Sequence, residues 1–288
     1  MNLSEIYIKC NKYDFSKFDI CSKDELISIL ICHIKKINKS KYYLLKEEIH
    51  LTDSEVNVLF SYLDKIIYEK IPVQYVLGYV YFYNEKYIVN SNVLIPRQDT
   101  EVLVEKAIEY INKYDLINGL DLCCGSGAIG ISALNNSKIK KMHFVDISEG
   151  ALDVTRKNIK INNVEKNTLV INSNLFENLM TTECKYDIII SNPPYIPTND
   201  IDTLSEYVKS EPILALDGGK TGLNFYEKII DDARNFLNDN SFIMFEIGYN
   251  QMDDLVSIFD RYNEYEVVEK VKDFNSNDRV IVCRFHKI

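Results

Sequence analysis

From Leu94 to the C-terminus, short apolar runs of strand character alternate with amphipathic helical stretches, and this alternation narrows the fold more than any other feature of the chain. Candidate strands are Gly119 to Cys124, Lys141 to Ile147, Thr168 to Ile171, Tyr186 to Ser191, Ser241 to Ile247, Glu266 to Lys272 and Asp278 to Phe285. Helical stretches lie near Glu101 to Tyr114, Ala128 to Asn135, Glu149 to Asn162, Gly222 to Leu237 and Gln251 to Tyr262. Such repetition calls for an α/β fold whose mostly parallel sheet is covered on both faces. Only Asp273 to Asn277 links the last two strands. A parallel crossover needs about a dozen residues, so that pair is antiparallel. In open sheets of this class, ligands bind beyond the carboxyl ends of the strands.

Upstream the periodicity changes. Ser22-x-x-Glu25 precedes Leu26, Ile29, Leu30, His33, Ile34 and Ile37, and Thr52-x-x-Glu55 precedes Val56, Leu59, Phe60, Leu63, Ile66 and Ile67. Both read as capping boxes followed by helical apolar spacing. Residues 1–71 are therefore expected to form a small helical domain. Residues 72–93 read as a β-hairpin linker, with Tyr79 to Tyr83 and Tyr87 to Val89 flanking an Asn84-Glu85-Lys86 turn. Residues 94–288 are left for the sheet domain, a division that 288 residues accommodate.

Composition excludes several classes of function. With 33 Lys+Arg against 43 Asp+Glu, the net charge of −10 works against non-specific grip on phosphate backbones. The 7 Cys form no Cys-x-x-Cys pair and the 4 His are isolated, so neither a zinc site nor a disulfide framework is expected, and no metal. The first ten residues lack the apolar run of a signal peptide, and no segment is apolar for long enough to cross a bilayer. The expectation is a reduced, cytoplasmic enzyme that does not engage membranes.

Four motifs fall at strand ends. Asp121-Leu-Cys-Cys-Gly125-Ser-Gly127-Ala-Ile-Gly130 follows a strand and opens a helix, where a glycine-rich turn lets a cofactor approach the backbone. By itself this pattern fits a nicotinamide cofactor, a methyl donor or a purely structural turn. Asp146 closes the next strand, placed either to accept both hydroxyls of a ribose or to cap the following helix. Ser173-Asn174-Leu175-Phe176 follows the third strand and would wall an adenine ring. The most informative is Asn192-Pro193-Pro194-Tyr195, directly after the apolar strand Tyr186 to Ser191.

The residue types of that last motif suit one chemical problem. An NH2 group conjugated to a carbonyl or an aromatic ring is a poor nucleophile, because its lone pair is delocalised. A site that accepts both N–H bonds lets the nitrogen pyramidalise and aim its lone pair at a methyl group. The Asn192 side-chain oxygen and the Pro193 carbonyl supply two acceptors, and neither Pro193 nor Pro194 has a backbone donor. Proline also fixes φ, so the acceptors are held before the substrate arrives. Tyr195 can stack on the planar group. Carboxamide, adenine N6 and guanine N2 all pose this problem.

In this order the motifs resemble the class I methyltransferases that use S-adenosylmethionine. From about Ile71 to Phe285 the chain resembles one family in particular, the release factor glutamine methyltransferases, which modify the glutamine of the Gly-Gly-Gln motif in peptide chain release factors. The resemblance is carried by Ile71-Pro-Val-Gln-Tyr-Val-Leu-Gly78, Phe82, Leu94-Ile-Pro-Arg97-Gln-Asp99-Thr100-Glu101, the glycine loop, Asn192 to Tyr195, Glu211-Pro212, Glu246-Ile-Gly248 and Asp273 to Arg279. The Ile-Pro-Arg-x-Asp-Thr-Glu string is far more specific than the glycine loop.

What the resemblance implies is a seven-stranded Rossmann-like methyltransferase sheet, mostly parallel with the last strand antiparallel, and a small N-terminal helical domain that recognises substrate. It assigns the donor, and its product S-adenosylhomocysteine, to Cys123, Cys124, Gly125, Ser126, Gly127, Asp146, Asn174, Leu175 and Asn192. It assigns the glutamine amide to Asn192, Pro193, Pro194 and Tyr195, with Phe82, Arg97 and Glu101 shaping the mouth. For Glu101 a plain helix start, capped by Asp99 or Thr100, is the competing reading. Two positions depart from the pattern: Cys123 occupies the first glycine position, and Asn174 stands where an aspartate is common. The expected partner is a release factor and the expected state a monomer without direct nucleic-acid binding; an N6-adenine methyltransferase is the alternative.

Overall fold

The computed structural model describes residues 1–15, 21–181 and 184–288. Two compact units emerge, one of Met1–Gly78 with Glu206–Ser210, the other of Tyr79–Ser205 with Glu211–Ile288. The first comprises α1 (Leu3–Cys10), α2 (Lys23–Lys35), α3 (Lys39–Leu44), α4 (Asp53–Ile67) and α5 (Val73–Leu77). At the start of α4 the capping box is complete, with Thr52 N–H donating to Glu55 Oε2 at 2.8 Å. That of α2 is only half formed: Ser22 Oγ accepts from Glu25 N–H, while the Glu25 carboxylate pairs with Lys39. Leu26, Leu30, Leu59, Leu63 and Ile66 are fully buried against one another, and Tyr207, on the short α9 (Glu206–Lys209), donates to the Ile66 carbonyl.

The second unit opens with the hairpin β1 (Tyr79–Phe82) and β2 (Glu85–Ile88). Its turn is Tyr83-Asn84 rather than the three residues expected, since Glu85 and Lys86 already pair with Phe82 and Tyr81. Both turn residues have positive φ, 48° and 63°. That geometry matches the twist of a two-residue hairpin. The hairpin packs into the core of this second unit, with Phe82 and Tyr87 buried in the cluster beneath α6 (Gln98–Tyr114) and α7 (Ala128–Asn136). The side chain of Asn158, on α8 (Glu149–Ile161), exchanges hydrogen bonds with Ile88 N–H and C=O and donates to the Ser126 carbonyl.

The remaining strands are β3 (Asn118–Leu122), β4 (Lys141–Asp146), β5 (Thr168–Asn172), β6 (Tyr186–Ser191), β7 (Leu237–Glu246), β8 (Tyr265–Lys272) and β9 (Asp278–Phe285), with α10 (Asn224–Ala233) and α11 (Met252–Phe259) between the later ones. Among the described residues they form a seven-stranded sheet in the order β5-β4-β3-β6-β7-β9-β8. Only β9 runs antiparallel, to both of its neighbours. Ile188 and Ile190 face one apolar layer and Ile189 the other, as a sheet covered on both sides requires. The expected boundary between the helix ending at Leu237 and the strand starting at Ser241 is displaced. Here β7 begins at Leu237, opposite Tyr186, and an irregularity with Asn240 at φ 59° takes up the extra residues before Ile188 meets Phe242.

Candidate active site

The carboxyl ends of β3, β4, β5 and β6 lie side by side, and the turns leaving them line one cleft. Cys123, Cys124, Gly125 and Ser126 come from β3, Asp146 from β4, Asn174 and Leu175 from β5, and Asn192 and Pro194 from β6. Val93, Leu94 and Pro96 form one further wall, Pro212, Leu214 and Ala215 another.

The turn after β3 is shaped by positive φ at Cys123 (60°), Gly125 (53°) and Gly127 (77°). Glycine takes this conformation freely, whereas a side chain is strained there, so Cys123 carries strain at the position where a glycine was the pattern. A Cβ at Gly127 would stand 2.9 Å from Thr155 Cγ2, while one at Gly125 would meet nothing within 4 Å, leaving its backbone open to the cleft. Two carboxylates hold the turn. Asp146 accepts from Gly125 N–H and Ser148 N–H, both at 2.9 Å, and burial raises its pKa. Asp121, fully buried, accepts from Gly130 N–H at 2.8 Å; its other oxygen has no hydrogen-bond partner among the described residues, and burial pushes its pKa well above the ordinary carboxylate value. The cap of α8 is Ser148, not Asp146. Burial likewise raises the thiol pKa values of Cys123 and Cys124, which keeps both in the unreactive protonated form.

At the β5 end, Leu175 is held at φ 50° and Asn174 donates through its amide to Glu177 at 2.6 Å. The donor half of the Asn174 side chain is thereby occupied and its oxygen is left to accept. After β6, Ser191 Oγ donates to the Leu122 carbonyl at 2.6 Å and ties the start of the Asn192–Tyr195 turn to β3. Among the described residues, neither the Asn192 side chain nor the Pro193 carbonyl has a hydrogen-bond partner within the chain. Tyr195 packs with the apolar layer and its hydroxyl donates to Glu246, a buried carboxylate whose pKa burial raises. Arg279 stands nearby, bound to Asp273 and to the Ile247 carbonyl.

The structure separates the three residues expected at the mouth. Phe82, in the hairpin itself, is buried in the cluster beneath α6 and α7, and Glu101 accepts from Tyr83 N–H at 2.8 Å, holding the hairpin turn; neither lines the cleft. The helix they were read with begins earlier, Arg97 being the N-cap of α6 and Asp99 and Thr100 lying in its first turn. Arg97 is not among the lining residues either, but it follows Pro96, which is, and it pairs with Glu211, whose other oxygen accepts from Ile95 N–H at 2.9 Å. One buried carboxylate thus joins the Leu94–Pro96 wall to the Pro212–Ala215 wall. Glu211, Glu246 and Asp121 carried no role in the sequence reading, although each sits in a motif quoted there. A second signal was overlooked: three of the chain's 10 glycines fall within Asp217-Gly-Gly-Lys-Thr-Gly222. A Cβ at Gly218 would stand 2.8 Å from the Pro194 carbonyl oxygen, so backbone packs directly on the Asn192–Tyr195 turn.

The donor set fits S-adenosylmethionine. The backbone at Gly125 is open for close approach, a carboxylate closes β4 for a ribose, and Leu175 offers an apolar wall with the Asn174 oxygen beside it. Among the described residues, no group of three or more His, Cys, Asp or Glu side chains could hold a metal ion.

Comparisons with known proteins agree. Residues 98–210 match the methyltransferase small domain family. A release factor glutamine methyltransferase of Fusobacterium nucleatum is 38% identical over 254 residues, covering 87% of this chain and 70% of the relative. One from Clostridium botulinum is 37% identical, covering 87% of this chain and 88% of the relative. A methyltransferase crystal structure from Pyrococcus furiosus superposes with a TM-score of 0.52 at 18% identity, covering 83% of this chain and 100% of the other, a likeness of fold alone. Sheet order, cleft and sequence kinship converge: the chain belongs to the release factor glutamine methyltransferase family.

Proposed function

We propose that this protein transfers a methyl group from S-adenosylmethionine to the side-chain amide nitrogen of the glutamine in the Gly-Gly-Gln motif of peptide chain release factors, and so modulates translation termination. The observation that carries this reading is the Asn192–Tyr195 turn, whose Asn192 and Pro194 share a cleft with the Cys123–Ser126 turn and whose Asn192 side chain and Pro193 carbonyl have no hydrogen-bond partner among the described residues.

Bound S-adenosylmethionine supplies an electrophilic methyl group on a positively charged sulfonium. The work of the chain is alignment. Asn192 Oδ1 and the Pro193 carbonyl accept the two amide N–H bonds, which turns the nitrogen lone pair toward the methyl group. Pro193 and Pro194 keep these acceptors fixed, and Tyr195 lies against the planar amide. Preorganised hydrogen bonding of this kind is worth several kcal/mol in a site closed to water. Asp146 holds the ribose hydroxyls, Cys123 to Gly127 take the methionine and ribose, and Asn174 and Leu175 flank the adenine. Arg97, fixed by Glu211, borders the substrate entrance. Release factor glutamine is favoured over adenine by the kinship with release factor enzymes and by the net charge of −10. We propose further that the protein acts in the cytoplasm as a monomer, without direct nucleic-acid binding.

The test incubates the protein with labelled donor and, separately, purified release factor, a release factor with its motif glutamine replaced by alanine, and methyl-free DNA and rRNA. Label on the intact release factor alone is expected. Label on nucleic acid and none on release factor would overturn the proposal in favour of the adenine reading.

A further inference from the structure

Gln251 stands just before α11, with only 6% of its surface exposed, and neither a motif nor the cleft lining accounts for it. Its amide nitrogen donates to the Tyr195 carbonyl at 3.0 Å and to the Gly222 carbonyl at 3.3 Å. Its oxygen accepts from Gly248 N–H at 2.9 Å. Both donors and the acceptor of this one side chain are therefore engaged, each with a different backbone segment. Losing such an amide would leave buried backbone groups without partners.

The carbonyl that Gln251 grips belongs to the last residue of the acceptor turn. Backbone packs closely around it. A Cβ at Gly222 would lie 2.3 Å from the Tyr195 oxygen, and one at Gly218 2.7 Å from Tyr195 Cα. Ile196 N–H donates to the Leu216 carbonyl at 3.0 Å, and Gly218 N–H to the Ile196 carbonyl at 2.8 Å. The opposite end of the turn is pinned by Ser191 Oγ on the Leu122 carbonyl. Between these anchors stand two prolines whose φ angles are locked by their rings. A short stiff span held at both ends transmits any displacement of one end to the atoms between.

We propose that Gln251 is a positioning residue: by holding the Tyr195 carbonyl it sets where the Pro193 carbonyl and Asn192 Oδ1 meet the substrate amide. This rests on the methylation reading above. In Gln251→Ala the turn loses its anchor while the donor pocket keeps all of its own contacts. We expect kcat to fall about 10- to 100-fold, the scale on which misplacing a reacting group by about 1 Å acts, while the Kd for S-adenosylhomocysteine changes less than about twofold. Hydrogen exchange should speed up at the Ile196 and Thr198 amides and stay unchanged at Gly127 and Gly130.

Gln251→Glu is nearly isosteric and tests the hydrogen bonds themselves. As a neutral acid it keeps one donor, for Tyr195, and one acceptor, for Gly248; as a carboxylate it has no donor and faces two carbonyls. Its kcat should therefore recover as pH is lowered and fall as pH rises through the pKa of the new carboxyl, relative to the unmodified protein. An unchanged kcat in Gln251→Ala, an equal loss of donor affinity, or a Gln251→Glu pH profile parallel to that of the unmodified protein would overturn the proposal. If the unmodified protein fails to label release factor, the methylation reading falls instead. The exchange experiment then decides alone, and unchanged exchange at Ile196 in Gln251→Ala would refute the anchor.

Discussion

The turns after β3 and β6 leave the carboxyl ends of neighbouring parallel strands at the centre of one sheet, yet their backbones follow opposite rules. Positive φ at Cys123, Gly125 and Gly127 bends the first turn, and carboxylates collect the N–H groups of Gly125 and Gly130. None of Asn192 to Tyr195 has positive φ, and prolines remove two N–H groups from the second turn. A ligand with a charged amino acid part and a ribose needs backbone that can come close, which glycine geometry permits. An amide nitrogen made to react needs acceptors that stay still, which proline provides. Labour is divided at the carboxyl ends of the strands: the first turn is built for approach, the second for immobility.

Mutations can break this contrast. The largest effect is expected for Asn192→Ala, where kcat should drop about 10²- to 10³-fold, as when one preorganised hydrogen-bonding group is removed from a transition state. Isothermal titration with S-adenosylhomocysteine should find donor affinity largely intact. Equal loss of both would make Asn192 chiefly a part of the donor pocket. Asp146→Ala should do the reverse, raising the donor Kd about 10- to 100-fold, the range for hydrogen bonds to a charged group, while kcat at saturating donor changes little.

Further changes test the backbone of the first turn. Gly127→Ala combines positive φ with a Cβ 2.9 Å from Thr155, and urea denaturation should register a loss of about 1–3 kcal/mol. Asp121→Asn tests the buried acid through its pH dependence. The folded pKa of Asp121 lies well above its unfolded value, so its contribution is fully present below the unfolded pKa and is lost as pH rises through the folded one. Asparagine does not titrate, so the urea midpoint of the variant should gain on that of the unmodified protein from pH 4 to pH 8; parallel curves would refute a raised pKa at Asp121. Smallest is Cys123→Gly, which exchanges strain at φ 60° for added freedom in the unfolded chain and should stabilise by less than about 1 kcal/mol. A measurable drop in Tm would show that the thiol packs more than the backbone strains.

Much of the sheet was legible because its signals are local. The run Tyr186 to Ser191 is β6 to the residue, and the strand-end residues Cys123 to Ser126, Asp146, Asn174, Leu175 and Asn192 all line the cleft. The hairpin turn was misread because Asn84-Glu85-Lys86 looks polar, whereas pairing of Glu85 with Phe82 leaves just Tyr83 and Asn84 to turn. Glu101 was misassigned for a related reason: its partner, Tyr83 N–H, lies in a hairpin that only packing brings to α6. Glu211 could not have been found by spacing, since its backbone partner Ile95 is 116 residues away.

By itself the sequence determined the alternation of strands and main helices in the sheet domain and which turn would carry glycines and which prolines, because periodicity and φ restriction act over a few residues; the short helices α1, α3, α5 and α9 were not among its readings. Only the tertiary structure decided that β6 lies beside β3, that β9 enters between β7 and β8, that Glu211 meets Ile95 and that Gln251 reaches the Asn192–Tyr195 turn. Those choices depend on burying both faces of the sheet and pairing nearly all of the buried polar groups at once. Groups far apart in the chain meet that condition only after it has folded.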